Sequence, residues 1–281
     1  MKKILQKITS QHNFNLIEAQ SLSGGDINDV FLLKCQEGNY VVKLNDASKF
    51  PGMFKAEAEG LELLRNSNSF RIPQIIGTDV VENSSYLLME YISKGDKSRD
   101  FCLQFGSNLA KLHHNSQPYF GLEHDNYIGT LTQNNSKYYS ASEFYIFQRL
   151  QPQFKMASAN GFIFKELEQF YKNISEEIPK ETSSLIHGDL WGGNYMISNN
   201  GTPVLIDPAV AFAPREMDLA MMKLFGGFDP EVFVIYNEIF PLVDKWEKRL
   251  DLWQLYYLLV HLNLFGSGYL QRVKSIMAKF S

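Results

Sequence analysis

The sequence predicts an α+β chain of two lobes, a small N-terminal lobe on an antiparallel sheet and a larger, mainly helical C-terminal lobe. Three observations lead there. Short runs rich in β-branched and aromatic residues occupy much of residues 1–92, helical periodicity dominates residues 93–281, and Ser93-Lys94-Gly95-Asp96 breaks the pattern between them. A chain of 281 residues can bury a substantial core in each lobe and has room for little else.

Taken in order, residues 4–12 carry Ile4, Leu5 and Ile8 at helical spacing. Strands are expected over 29–34, 39–44, 74–80 and 85–91, with Glu37-Gly38-Asn39 turning the first pair and Asn83-Ser84 the second. Residues 53–65, between the pairs, read as a helix. Beyond the break, helices are expected over 101–113, 160–174, 218–224, 230–240 and 250–264. No internal repeat or low-complexity linker interrupts this order.

A formal net charge of −4, with no basic stripe, argues against nucleic acid as a partner. No apolar run approaches a membrane span, and Met1-Lys2-Lys3 is not followed by the apolar block of a signal peptide, so no membrane association is expected. Cys35 and Cys102 are the only cysteines and lack metal-ligand spacing. Reduced thiols in a cytoplasm, in a monomeric protein, are the expectation.

The chemistry concentrates in His187-Gly188-Asp189-Leu190-Trp191-Gly192-Gly193-Asn194, followed after a short gap by Asp207-Pro208-Ala209. Phosphoryl transfer to an alcohol needs a carboxylate to accept the hydroxyl proton. It needs an amide oxygen for a magnesium ion five residues further on, then a second carboxylate to hold the metal against the phosphates. Residues 195–198 and 203–206 read as strands, and Asn199-Asn200-Gly201 is a tight-turn signal because these residues tolerate positive φ. In that hairpin Asn194 precedes one strand and Asp207 follows the other, so antiparallel pairing brings both oxygen ligands to one end.

The small lobe offers groups for a nucleotide. Gly24 and Gly25 enter a strand and let main-chain N–H groups approach phosphate oxygens, although a plain turn reads equally well. Lys43 lies in Tyr40-Val41-Val42-Lys43-Leu44 with apolar neighbours, where a cation is either an edge charge or paired. Met53, Glu57, Leu61 and Leu64 share one helical face, which makes Glu57 its partner, with Glu59 the alternative. The apolar strand ending at Met89, Glu90, Tyr91 and Ile92 is where an adenine would meet main-chain groups; an ordinary core strand is the other reading.

These residues resemble the fructosamine kinase (ketosamine-3-kinase) family, in the aminoglycoside-phosphotransferase-like branch of the protein-kinase fold. The loop with Trp191 is the most specific match. Asp207-Pro208-Ala209, Arg215-Glu216-Met217-Asp218-Leu219-Ala220, Asp125-Asn126-Tyr127-Ile128-Gly129 and Gly24-Gly25-Asp26-Ile27-Asn28 are similar to further family segments. Asp26 stands where some members have cysteine.

The resemblance implies an ATP-dependent kinase that phosphorylates the 3-hydroxyl of a ketoamine, labilising the adduct left on an amine or a protein lysine by glycation. Carried over by position, Asp189 accepts the proton, Asn194 and Asp207 bind Mg²⁺, and Met89 to Ile92 form the hinge. Trp191 and Asn126 are carried toward the acceptor; for Trp191, bracing the loop is the other reading. Asp218 is expected to hydrogen-bond the loop main chain. His113, His114 and His124 make a poor zinc set, and the aromatics of 253–264 read as core. Kinases of choline, aminoglycosides or sugars remain as rivals, as does a silent pseudokinase scaffold.

Overall fold

The computed structural model describes residues 1–22 and 28–280. The N-terminal part runs α1 (Lys2–Gln11), β1 (Leu16–Ser21), β2 (Asp29–Cys35), β3 (Gly38–Asp46), α2 (Met53–Asn66), β4 (Ile75–Val81) and β5 (Ser84–Glu90). The five strands form one antiparallel sheet in the order β1-β2-β3-β5-β4. Alternation along β3 divides its side chains between two faces. Val42 and Leu44 join Leu33, Tyr86 and Leu88 in a core closed by Leu5 and Ile8 of α1. Val41 and Lys43 are therefore sent to the opposite face, toward the rest of the molecule.

α3 (Phe101–His113) opens the helical part. It is followed by a small hairpin, β6 (Asn126–Ile128) with β7 (Leu131–Gln133), then α4 (Ala141–Phe144), a π-helical turn Tyr145–Leu150, α5 (Gln151–Ala159) and α6 (Leu167–Glu177). Four short strands carry the loop of interest: β8 (Ser184–Ile186), β9 (Tyr195–Ile197), β10 (Pro203–Leu205) and β11 (Ala211–Ala213). Last come α7 (Glu216–Phe225), α8 (Pro230–Ile239), α9 (Trp246–Phe265), a 3₁₀ turn Ser267–Tyr269 and α10 (Leu270–Met277). The helical core is built around α9, whose Trp253, Tyr256, Leu259 and Leu262 are buried. No described helix is long and apolar enough to cross a membrane.

Two sequence expectations are corrected. The helix expected over 160–174 begins only at Leu167; Gly161 and Glu166 both have positive φ, and Phe162 and Phe164 reach the core from extended chain between them. The helical stretch over 141–159, which contains Pro152, is not among the helices expected from sequence. In the structure Pro152 lies in the first turn of α5, where a missing N–H costs little.

Candidate active site

β9 and β10 pair antiparallel with Tyr195 opposite Leu205, and Gly201 turns the hairpin at φ 76°. Asn194 and Asp207 consequently meet at its open end: Ile206 N donates to Asn194 O at 3.1 Å, and Asn194 Nδ2 lies 3.5 Å from Asp207 O. The same amide nitrogen donates to Asp189 O at 2.8 Å and to its carboxylate Oδ2 at 3.0 Å. Since the main-chain oxygens of Asp189 and Asp207 can only accept, the amide nitrogen must face them, and Asn194 Oδ1 is turned away.

The loop carrying Asp189 is held from below by Asp218 on α7. Asp218 is fully buried and accepts from His187 N at 2.7 Å and Gly188 N at 2.8 Å. His113 Nε2 donates to the same carboxylate at 3.2 Å. Burial holds both His113 and His187 below the ordinary histidine pKa, so each is a neutral ring. His187 Nε2 then donates to Ile206 O at 2.9 Å, tying the loop to the strand before Asp207. Gly188 has φ 83°, and a Cβ there would collide with Ala209 O. Only glycine lets the loop and the Asp207-Pro208-Ala209 segment approach so closely.

Lys43 reaches across from β3. Its Nζ donates to Glu57 Oε1 at 2.6 Å and also to Asp207 Oδ1. Helical spacing had singled out Glu57. Glu59, the alternative, faces His124 at 2.9 Å instead. Burial alone would lower the lysine pKa, but the Asp207 and Glu57 carboxylates overcome it and hold Lys43 above its ordinary value, fully charged. Asp189 is half-buried, and that burial raises it to about 7; the Asn194 hydrogen bond opposes the rise, while Asp207 and Asp218 add to it.

Lys43, Glu57, Asp189, Asn194 and Asp207 line one open cleft of about 1290 Å³ between the sheet and the helical part. Met89, Glu90, Tyr91 and Ile92 edge it on the sheet side. Glu90 is already engaged, its N–H with Gln74 O at 2.8 Å and its carboxylate with Arg71 at 2.6 Å. Gly24 and Gly25 lie outside the described residues. His113, His114 and His124 do not converge: His113 bonds Asp218, His114 stacks on Phe240 at 3.9 Å, and His124 meets Glu59.

Asn126 lines the cleft, yet its amide is spent inside the protein. Nδ2 donates to Val210 O at 2.8 Å, and Oδ1 accepts from Gln133 Nε2 at 2.8 Å and Asn135 Nδ2 at 2.9 Å. Its side-chain amide is thus satisfied within the protein. Gln133 also donates to Ala209 O at 3.0 Å and accepts from Tyr256 Oη at 2.7 Å. Behind them the buried Arg149, delivered by the π-helical turn, donates to Asn135 Oδ1 at 2.8 Å. This network anchors the chain just after Asp207, and sequence spacing gives no hint of it because its members are scattered over four elements.

Sequence reading also missed an aromatic wall. Trp191 is 40% exposed, so it does not pack as a core brace. Its ring lies edge-on to Phe225 at 6.4 Å, and the row continues through His261, Phe265 and Tyr269. Tyr257, His261, Leu264 and Phe265 share one face of α9, and that face lines the cleft. The spacing was visible, but aromatic residues on a long apolar helix read as core.

Oxygen donors dominate the hairpin end. Asn194 Oδ1 and the Asp207 carboxylate are hard ligands of the kind magnesium takes, beside a fixed lysine charge suited to phosphate. An antiparallel sheet presenting a paired lysine to a loop of this chemistry on a helical lobe defines the protein-kinase-like phosphotransferases, enzymes that use ATP to phosphorylate a hydroxyl group. Within that class, the fructosamine kinase family model matches residues 1–281, and the chain belongs to this family. A probable ketoamine kinase of Enterococcus faecium is 39% identical over 265 residues, covering 92% of this chain and 93% of that protein. The crystal structure of a candidate fructosamine-3-kinase from Haemophilus somnus superposes with a TM-score of 0.90 at 25% identity, covering 100% of this chain and 97% of that one. Aminoglycoside phosphotransferase APH(4)-Ia shares the fold alone, with a TM-score of 0.62 at 15% identity over 100% of both chains.

Proposed function

We propose that this protein is an ATP-dependent ketoamine kinase that phosphorylates the 3-hydroxyl of a sugar–amine adduct, free or on a protein lysine, and so promotes release of the amine. Residues 1–92 would bind the nucleotide, and residues 93–281 would supply the catalytic loop and the acceptor pocket. The observation that carries the reading is the convergence of Lys43, Asp189, Asn194 and Asp207 on one cleft, in a chain whose relatives include a probable ketoamine kinase.

In this reading Lys43, held by Glu57, sits against the α- and β-phosphates. Because the Glu90 N–H is engaged, adenine recognition falls to the main chain of Tyr91 and Ile92. Asn194 Oδ1 and Asp207 would hold Mg²⁺, which supplies charge neutralisation at the β- and γ-phosphates. Asp189 orients the acceptor hydroxyl and takes its proton late, since a loose transition state needs positioning more than a strong base. Trp191 flanks the acceptor. The glycine pair Gly24-Gly25 is assigned to the phosphates by the resemblance. The enzyme would act as a monomer in the cytoplasm.

An ATP-consumption screen tests the substrate class. Ketoamines of fructose, ribulose and erythrulose should be turned over, with the product phosphate on the 3-hydroxyl. Robust turnover of choline or an aminoglycoside, with none of any ketoamine, would overturn it.

A further inference from the structure

Large aromatic side chains are seldom exposed side by side in a concave site unless a ligand covers them. Here Phe225 is 38% exposed and Phe265 is 59% exposed, and both line the cleft with Trp191 and Tyr269. The rings form a continuous row: Trp191 to Phe225 at 6.4 Å, Phe225 to His261 at 4.7 Å, then His261 to Phe265 at 5.4 Å and to Tyr269 at 5.1 Å.

The row starts two residues beyond Asp189 and lies on α7, α9 and the turn after α9, whereas Lys43 stands on the sheet. A nucleotide occupying the Lys43 side leaves the row to the acceptor. His261 Nδ1 must donate to Tyr257 O, which can only accept, at 2.8 Å. Burial also holds its pKa below the ordinary histidine value, so the ring at the centre of the row is uncharged. A wall of neutral aromatic faces with no cation of its own tolerates an ammonium group and attracts it weakly. It offers few partners to the hydroxyls of a sugar tail.

We propose that Trp191, Phe225, Phe265 and Tyr269 form a subsite for the nitrogen substituent of the acceptor, selecting ketoamines of aromatic or long apolar amines over those of small amines. This rests on the ketoamine reading above. With the 3-hydroxyl at Asp189, two carbons separate its carbon from the amine nitrogen, close enough for the nitrogen's substituent to lie along the row.

Two measurements on the full-length protein test this, one independent of turnover. Titration with phenethylammonium should change the tryptophan emission saturably, ethylammonium should not, and Phe265→Ala should weaken the phenethylammonium response on the order of tenfold. Kinetically, the fructose ketoamine of phenethylamine should exceed that of ethylamine in kcat/KM by about tenfold. Phe265→Ala should bring the ratio near unity and leave the KM for ATP unchanged. Equal kcat/KM for the two adducts, or a ratio that survives Phe265→Ala, overturns the subsite. Failure to phosphorylate either adduct would overturn the ketoamine reading instead. The fluorescence titration would then decide the subsite alone, and no selective response to phenethylammonium would reject it.

Discussion

Asn194 donates through one amide nitrogen to both the main-chain oxygen and the carboxylate of Asp189, at 2.8 Å and 3.0 Å. The bond fixes the carboxylate rotamer, and it orients the amide so that Oδ1 faces away from the base.

Asp189→Asn should abolish most turnover and leave ATP affinity nearly unchanged, because among the described residues proposed to hold the nucleotide and its metal Asp189 hydrogen-bonds only to Asn194. Steady-state kinetics with a nucleotide-binding titration checks this. Near-normal turnover in the folded variant removes Asp189 from the role of proton acceptor.

The same residue predicts a pH dependence of stability. Burial raises Asp189 to about 7, so the folded state binds this proton more tightly than the unfolded chain does. The associated stability is fully present below the ordinary carboxylate pKa and is lost as pH climbs toward 7. The nucleotide-free protein should therefore lose about 1–2 kcal/mol between about pH 4 and pH 8 through this group, after allowance for screening in an open cleft. Asp189→Asn should flatten that part of the Tm–pH curve; identical curves would show that the carboxyl is not perturbed.

Asp207→Ala should weaken Mg²⁺-dependent nucleotide binding more than Asn194→Ala, since a carboxylate neutralises charge that an amide only coordinates. Asp207 also pairs with Lys43, whereas Glu57 can still hold the lysine after the substitution. Magnesium titrations of both variants and the wild type discriminate. Three superimposable curves would reject a metal site at the hairpin end.

What was legible in the sequence follows from range. Lys43 with Glu57, and Asn194 with Asp207, were placed by periodicities of two, of 3.6 and of a hairpin, all local geometry. β1 was missed because five of its six residues are exposed and leave no alternating pattern. The support of Asp207 by Gln133, Asn126 and Arg149 could not be read at all. Buried amides and a guanidinium look like surface residues until tertiary contacts satisfy them. Asp218 lay between these cases: its place in a recognisable segment suggested that it bonds the loop, and the structure adds His113 as a third donor.

Asp218→Asn should destabilise the fold by about 2–4 kcal/mol. The carboxylate accepts three donors while fully buried, and an amide would turn an NH₂ toward at least one of them. Urea unfolding should show a lower midpoint with an unchanged slope. A midpoint within error of the wild type would mean that the loop is held by other contacts.

Gly188→Ala carries the sharpest geometric expectation. Position 188 has φ 83°, which a β-carbon disfavours, and that carbon would collide with Ala209 O. The obstacle is main chain, further pinned by Ala209 N donating to His187 O at 2.9 Å and by Gln133 donating to Ala209 O at 3.0 Å, so it has little freedom to move aside. Relief must come from the loop, and the residue it displaces is Asp189. The variant should lose at least about 2 kcal/mol of stability. In whatever fraction remains folded, kcat should fall by more than tenfold, a misplacement on the order of 1 Å being enough for such losses. Nucleotide affinity should fall far less, because Lys43 lies on the sheet and the proposed hinge follows directly from β5. Measuring kcat, the KM for ATP and the unfolding free energy together separates these effects. A stable variant with wild-type kcat would show that the loop and the Asp207 segment do not depend on this contact.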